Sequence, residues 1–276
     1  MLTKTECKMK RKENYKIIVA MLLLLTATMF AQRKFEEIKI FDAPEARQAV
    51  AVDENYFYAV TNYKIVKYNK ETGERVDAWE GKENGPIKHL DSGAIIDGKL
   101  YCAHSNYPEF PMTSSIEVWD PETMEHIESH SFGIEYGSCT WVDKYNGYWW
   151  AAFAHYNKWS DSTGTDVRWT TVVKFDDQWR KLEAWVYPQE VLERFEMMSN
   201  SGGSWGPDGY LYVTGHDTPE LYVMKIPEQG SLLELVEIVP VNCTGQGIAW
   251  DRSQPGSIYT IRKADRKVIH SKLVTE

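Results

Sequence analysis

The stretch "DGYLYVTGHDTPELYVMKI" at residues 208–226 repeats a pattern that occurs earlier as "DGKLYCAHSN" at residues 97–106. Each copy has an Asp-Gly turn, then a Leu-Tyr pair, and then a histidine a few residues later. Asp-Gly between two apolar runs is a strong signal for a β-hairpin, because glycine adopts the positive φ angles that a tight turn needs. The pattern therefore predicts a hairpin that the chain uses more than once.

The hairpin belongs to a longer unit of about 45 residues. In its clearest copy, residues 92–132, "SGAIIDGKLYCAHS" is followed by "SSIEVWD", "PETME" and "HIESHSF". Further copies begin near residues 48, 138, 201 and 245. Four short strands in a fixed period of this length are typical of one blade of a β-propeller. A β-sandwich would also account for the strands, but it would not account for the fixed period.

These repeats predict an all-β protein, a five-bladed β-propeller of four-stranded antiparallel blades. The last copy contains only three strands, whereas "KFEEIKIF" at residues 34–41 is strand-like and precedes the first copy. If this N-terminal strand completes the last blade, the ring closes and leaves no long open edge. We therefore predict a single propeller domain, residues 32–276, closed by its N-terminal strand.

Residues 1–31 have the order of a secretory signal peptide. The basic run "KMKRKENYK" precedes an apolar run of 14 residues at positions 17–30, which is followed by Ala31. The apolar run is shorter than the roughly 20 residues that a membrane-spanning helix needs. We expect cleavage after Ala31 and a periplasmic or extracellular product without a membrane span.

The charge of the remaining chain argues against nucleic acid as a partner. Residues 1–31 hold six of the 31 Lys and Arg residues and two of the 40 Asp and Glu residues, so 25 basic and 38 acidic residues remain. A net charge near −13 repels a phosphate backbone.

Three cysteines remain, Cys102, Cys139 and Cys243, which would allow one disulfide and one free thiol. The sequence does not select the pair.

The long loops of the repeat all fall on one rim of the predicted ring. In a four-stranded meander, the loop between the second and third strands lies on the same rim as the connection to the next blade; we call this the top rim. It carries "HSNYPEFPMTS" (residues 104–114), "HYNKWSDSTGTDVR" (residues 155–168) and "YPQEVLERFEMMSNS" (residues 187–201), the last with a predicted short helix. Long loops on one rim of a rigid scaffold are where binding and catalysis usually occur.

Histidines mark the end of the second strand in blades 2, 3 and 4. The candidate catalytic residues are His104, His155, His216 and the adjacent Asp217. A single shared zinc ion is disfavoured, because the positions in blades 2 and 4 would be about 20 Å apart and zinc needs nitrogens at about 2.0–2.1 Å. Two interpretations stay open: a repeated structural hydrogen bond to a neighbouring loop, or general acid or base groups in a ligand pocket.

Polar residues at the start of the innermost strands would surround the mouth of the channel. The candidate ligand-binding residues are His89, Asp91, Asn200 and Gln246, with Arg262 at the histidine position of blade 5 and with Tyr156 and Trp159 as stacking platforms for a sugar or an aromatic ring. Such a ring suits a small polar molecule, a carbohydrate or one hydrated divalent cation, since Ca²⁺ and Mg²⁺ prefer oxygen ligands. Small polar residues would also begin strands there simply because the centre is crowded and wet.

The repeat "SGAIIDGKLYCAHS…SSIEVWDPETMEHIE" resembles those of secreted small-propeller families, the plant-type glutaminyl cyclases and the lactonase or cycloisomerase propellers. The resemblance covers most of residues 48–270 and concerns the scaffold. Of the Phe-Thr-Gln-Gly motif expected of the cyclases, this chain has only "CTGQG" at residues 243–247. The cyclase site is therefore not transferred, because fold alone does not imply function.

Two functions from different classes follow from this pattern. The first is an exported enzyme of the hydrolase, lactonase or cyclase kind, acting on a small polar substrate at the top rim. The alternative is a non-catalytic propeller that binds a glycan, a peptide or a partner protein. The sequence has no Gly-rich phosphate loop, no G-x-S-x-G elbow, no H-E-x-x-H helix and no CxxC pair. The histidines and carboxylates on the top rim favour the enzyme.

Overall fold

The computed structural model describes residues 32–275. Its twenty strands form five antiparallel sheets of four strands each, which confirms the predicted five-bladed β-propeller. Residues Lys34–Val274 form one compact unit. The predicted signal peptide, residues 1–31, lies outside the described residues.

Each blade is a meander whose strands follow one another from the channel outward. The first strand of the chain, β1 (Arg33–Asp42), belongs to the last blade. Blades 1 and 2 contain β2 (Ala49–Val52), β3 (Tyr56–Thr61), β4 (Lys64–Asn69), β5 (Arg75–Glu80), β6 (His89–Ile96), β7 (Lys99–Ser105), β8 (Ser114–Trp119) and β9 (His126–Gly133). Blades 3 and 4 contain β10 (Ser138–Tyr145), β11 (Tyr148–Ala154), β12 (Thr171–Phe175), β13 (Lys181–Val186), β14 (Gly202–Trp205), β15 (Leu211–Thr214), β16 (Glu220–Lys225) and β17 (Glu234–Pro240). Blade 5 contains β18 (Ala249–Trp250), β19 (Ser257–Arg262) and β20 (Lys267–Thr275), followed in space by β1.

The short helices lie in the long loops of the top rim. A six-residue α-helix, Gln189–Arg194, connects blades 3 and 4, as predicted. The loop between β11 and β12 folds into a 3₁₀ turn (Asn157–Trp159), one α-helical turn (Ser160–Thr163) and a second 3₁₀ turn (Val167–Trp169). Within residues 32–275, no helix combines the length and the apolarity needed to cross a membrane.

The ring closes through the N-terminal strand, which pairs with β20 as the outer strand of blade 5. A buried ion pair joins blades 5 and 1 beside this closure. The ammonium group of Lys70 donates to the carboxylate of Asp251 and to the carbonyl oxygen of Asp53, the latter at 2.7 Å. The side chains of Lys70 and Asp251 are 5% and 0% exposed. The ring is thus closed by the pairing of β1 with β20 within blade 5 and by the ion pair between blades 5 and 1.

Tryptophans at matching places in the innermost strands pack between neighbouring blades. The indole of Trp141 lies against Gly203 of the next blade, where an added Cβ would be 2.4 Å from the ring. Trp205 stacks on Tyr145 of the preceding blade with ring centroids 4.3 Å apart. Trp250 meets Tyr212 of the preceding blade edge to face, with ring centroids 4.9 Å apart. Large aromatic rings therefore pack blade 3 against blade 4 and blade 4 against blade 5.

The three cysteines of the described region are all buried free thiols. Burial raises the pKa of Cys102, Cys139 and Cys243, so each thiol stays protonated. The disulfide that the cysteine count allowed does not form between any of them, and their role is to fill the core.

We predict that Lys70→Met lowers the free energy of unfolding by about 3–5 kcal/mol, because it leaves the buried carboxylate of Asp251 without its counter-charge. Denaturant unfolding followed by tryptophan fluorescence measures the loss. Lys225→Met is the matched control, since Lys225 and Glu234 form an exposed pair at 3.7 Å that contributes about 0–1 kcal/mol. Equal losses in the two variants would contradict the proposed importance of the closing ion pair.

Candidate functional site

The top end of the channel opens into a cavity of about 240 Å³, which we call the channel-mouth cavity. Every blade contributes one polar side chain from the start of its innermost strand. These are Gln48, Asp91, Thr140, Ser201 and Gln246. The fivefold arrangement of the fold therefore places five hydrogen-bonding groups around one small space.

The backbone departs from regular geometry where it delivers these side chains. In β6 the register slips between Leu90 and Gly93, and in β10 it slips between Cys139 and Trp141. Asp91 and Thr140 lie within these two β-bulges. A bulge turns a side chain away from the direction that a regular strand would give it, and bulges are common beside functional sites. Both blades thus redirect a polar residue toward the same cavity.

Blade 5 reaches the same result with a residue of positive φ. Gln246 has φ of 71°, a region that few residues other than glycine adopt, and which occurs often at functional sites. Its backbone N–H donates to the carbonyl oxygen of Gly215 at 3.0 Å. Its side-chain amide donates to the backbone carbonyl oxygen of His216 at 2.9 Å. The Gln246 side chain therefore ties the loop that carries His216 to the cavity wall.

A buried hydroxyl in the cavity wall has no protein partner. Thr140 is 2% exposed, and its hydroxyl makes no hydrogen bond with any residue in the range 32–275. A buried hydroxyl without a partner costs about 1–3 kcal/mol, so such groups usually bind water or a ligand. The hydroxyl of Thr140 is therefore available to a polar molecule in this cavity.

Two histidines of the cavity are each paired with a carboxylate. Nε2 of His89 lies 3.5 Å from Oδ2 of Asp91, and both side chains are buried. Nδ1 of His216 lies 2.6 Å from Oδ2 of Asp217. Because a carboxylate only accepts, Nδ1 of His216 carries the hydrogen, and Nε2 is left as an acceptor for a ligand.

Lys263 lines the cavity, whereas the repeat pattern predicted Arg262, the last residue of β19, at this position of blade 5. Consecutive strand residues point in opposite directions. Arg262 accordingly faces away and forms a forked ion pair with Asp265, at 2.8 and 2.7 Å, and a hydrogen bond to Asn242. The alternating directions of strand side chains were the feature of the sequence that could have indicated Lys263, and not Arg262, as the residue facing the cavity.

His104 lies outside both this cavity and the second cavity described below, within a buried hydrogen-bond network of blade 2. Its Nε2 accepts from the backbone N–H of Lys88 at 3.0 Å, and its Nδ1 lies 2.8 Å from the hydroxyl of Ser115. Ser115 donates onward to the buried carboxylate of Glu117 at 2.6 Å, which also contacts His126 at 2.7 Å. Both ring nitrogens of His104 are thus used within the protein. Burial lowers the pKa of His104 to about 4.

Asn200 is also placed away from the cavity wall. Its side-chain oxygen accepts from the indole of Trp141 at 2.6 Å and from the hydroxyl of Tyr187 at 3.0 Å. Its amide donates to the carbonyl oxygens of Gly202 and Thr214, both at 2.9 Å. All hydrogen-bonding positions of this fully buried amide are used to hold blades 3 and 4 together.

A second cavity of about 410 Å³ lies between the top loops of blades 2 and 3; we call it the aromatic cavity. Predicted residues that line it are His155, Tyr156 and Trp159, and Tyr156 also lines the channel-mouth cavity. Nε2 of His155 donates to the carbonyl oxygen of Tyr136 at 3.0 Å, and Nδ1 accepts from the hydroxyl of Thr165 at 3.0 Å. Burial lowers the pKa of His155, which keeps the ring neutral.

The predicted site residues therefore divide into three sets. His89, Asp91, His216, Gln246 and Tyr156 line the channel-mouth cavity, where Asp217 supports His216. His155 and Trp159 line the aromatic cavity. His104, Asn200 and Arg262 line neither. In the described part of the chain, no group of three or more His, Cys, Asp or Glu side chains is arranged to hold a metal ion.

Comparison with known proteins finds similarity of fold only. No protein-family model matches the chain, and no curated protein matches it by sequence. Solved structures that are similar include the WD40 repeats of RRP9, with 10% identity, a TM-score of 0.44 and coverage of 82% of this chain and 79% of that chain. Another is U3-55K, with 11% identity, a TM-score of 0.45 and coverage of 86% of this chain and 98% of that chain. A third is the Kuenenia stuttgartiensis hydrazine synthase, with 12% identity, a TM-score of 0.45 and coverage of 86% of this chain and 70% of that chain. The function of this protein has to be inferred from its own residues.

We predict that His104 makes the fold sensitive to acid. The unfolded chain binds a proton at this histidine below pH of about 6.5, whereas the folded protein resists protonation until pH of about 4. The free energy of unfolding should therefore fall by about 1–3 kcal/mol as the pH drops through this range and then stop falling from this cause.

The measurement is denaturant unfolding of the wild type and of His104→Gln at pH 7, 6, 5 and 4. Glutamine can accept from Lys88 and donate to Ser115 but cannot be protonated, so the pH-dependent loss should be smaller in the variant. The difference between the two proteins removes the contributions of the other titrating groups. Identical pH profiles would show that His104 is protonated equally in both states.

Proposed function

We propose that the protein binds a small polar molecule in the channel-mouth cavity and acts on it by proton transfer, as an enzyme of the hydrolase, lactonase or cyclase kind. The observation that carries this proposal is the convergence of one polar side chain from every blade on a single cavity of about 240 Å³. Two β-bulges and a residue with positive φ support it, because bulges are over-represented beside active sites and each of these three irregularities holds a residue that lines the cavity.

His216 is the group best placed to accept a proton. The carboxylate of Asp217 holds the hydrogen on Nδ1, which leaves the lone pair of Nε2 available to a substrate hydroxyl or a water molecule. The side-chain amide of Gln246 holds the loop of His216 by donating to the backbone carbonyl oxygen of His216. His89, paired with Asp91, provides a second ionisable group for orientation of the substrate or for proton donation.

A second candidate function is non-catalytic binding at the aromatic cavity. Phe110 and Ile134 are 45% and 64% exposed there and add apolar surface to the cavity. Trp159 packs against Phe110 with ring centroids 5.4 Å apart and presents an aromatic wall. A carbohydrate or an aromatic ring would stack on such a surface. Export of the protein remains a proposal based on residues 1–31 alone.

Turnover tests the first function. The purified protein is incubated with lactones, carboxylic esters and peptides with N-terminal glutamine, and the products are followed by mass spectrometry. We expect turnover of one class and a decrease in kcat/KM of about 10²–10⁴ in His216→Ala, because a general base contributes that much. The melting temperature should change by only a few degrees, since the His216 side chain is partly exposed.

The control is His130→Gln, which changes a histidine on the outer strand of blade 2 that stacks on Trp179 and lines neither cavity. Its kcat/KM should equal that of the wild type. Full activity in His216→Ala would remove this residue from the mechanism. Binding without turnover, lost in Trp159→Ala but kept in His216→Ala, would support the second function instead.

A further inference from the structure

One basic side chain, Lys263, lines the channel-mouth cavity, and two arginines lie near it without lining the cavity. Lys263 and Arg266 belong to the loop between β19 and β20, and Arg47 directly precedes the first blade. Lys263 lines the cavity, and both arginines are near enough to repel its ammonium group. The cavity is therefore cationic on one side.

This positive charge is not neutralised by direct contacts. The ammonium group of Lys263 makes no hydrogen bond or ion pair with another residue between 32 and 275. Burial lowers the pKa of Lys263, and Arg47 and Arg266 lower it further, against the opposing effect of Asp217 and Asp91. These carboxylates act on Lys263 through space and do not contact it.

Arg266 adds a second unsatisfied cation. Its Nη1 is buried and has no hydrogen-bond partner among the described residues. Other buried cations of this fold are fully used: Lys67 donates to the carbonyl oxygen of Pro121 at 2.8 Å, and Lys70 is paired with Asp251. Lys263 and the nearby Arg266 thus each have a donor that an external acceptor could satisfy.

The other side of the cavity has the opposite character. Asp91 is buried and makes only a loose contact to His89, at 3.5 Å, so its oxygens are available to a donor. A ligand that spans the cavity would place an anionic group at Lys263 and a hydroxyl or amino group at Asp91. The two walls together select a molecule with both functions.

The size of the cavity limits the ligand. Its volume of about 240 Å³ is below the range of about 300–1,000 Å³ that is usual for drug-sized ligands. At about 30 Å³ per molecule, it would hold roughly eight waters. A cavity of this size suits a small organic acid better than a nucleotide or an oligosaccharide.

We propose that Lys263, supported by Arg47 and Arg266, binds the carboxylate of a small hydroxy acid or amino acid in the channel-mouth cavity, with the hydroxyl or amino group of the ligand facing Asp91. This assignment rests on the proposed function and defines its substrate class. It makes Lys263 the residue that distinguishes an acid from its neutral amide, because a planar carboxylate accepts charge-assisted hydrogen bonds that an amide cannot replace.

The test compares matched probes by titration calorimetry and by NMR of the purified protein. Lactate and alanine are compared with lactamide and alaninamide, and inorganic phosphate is included as a second anion. We expect the acids to bind at least tenfold more tightly than their amides. Lys263→Met should weaken binding of the acids by about 10–100-fold and leave the amides within about twofold.

The control is Lys88→Met, which removes one positive charge from the same rim where Lys88 is already paired with Glu109 at 2.6 Å outside the cavity. It should bind the acids like the wild type. Lys263→Arg should retain most of the preference, which separates loss of charge from damage to the fold. The melting temperature of Lys263→Met should be equal to or higher than that of the wild type, because a repelled and unpaired cation is removed.

Each other outcome overturns a defined part of the proposal. Equal binding of acids and amides, weakened by His216→Ala, would keep the proposed function and reject the carboxylate assignment. Tighter binding of phosphate than of either acid would also reject it. Absence of binding by all five probes, together with absence of turnover in the substrate screen, would reject both.

Discussion

The five innermost strands approach one another so closely at the top of the channel that one additional carbon atom does not fit. A Cβ on Gly202 would lie 2.3 Å from the carbonyl oxygen of Gln246, and one on Gly247 would lie 2.4 Å from Cβ of Ala49. Real Cβ contacts of this length do not occur, so both positions require glycine. This crowding is the constraint on which the site depends, because regular strands cannot all converge at one point.

The chain responds to the crowding with irregular backbone, and the irregular backbone creates the site. Blades 2 and 3 insert the bulges that hold Asp91 and Thr140, and blade 5 uses the positive φ of Gln246. Each departure turns a polar side chain toward the channel rather than along the sheet. The donors and acceptors around the channel-mouth cavity are thus a consequence of how the five sheets meet at the top of the channel.

Hydrogen-bond satisfaction separates structural polar groups from candidate functional groups in this molecule. His104 and Asn200 are buried polar residues near the top rim, and all of their ring or amide positions are used by protein partners. Thr140 and Lys263 line the channel-mouth cavity and lack such partners within the described residues. Thr140 is buried and Lys263 is half-buried, so a polar ligand in the cavity would supply the hydrogen-bond partner that each of them lacks.

The sequence by itself determined the fold, because the signals for it are local. The Asp-Gly turns, the period of about 45 residues and the strand-like segment at residues 34–41 predicted the blades and their closure. Their place in the repeat also selected His216, Asp91 and Gln246 as candidates, and these three residues line one cavity. Only the tertiary structure decided that Lys263 rather than Arg262 lines the cavity, and that Thr140 is turned into it. Those facts depend on strand register and on contacts between blades far apart in the chain, which a repeat pattern does not encode.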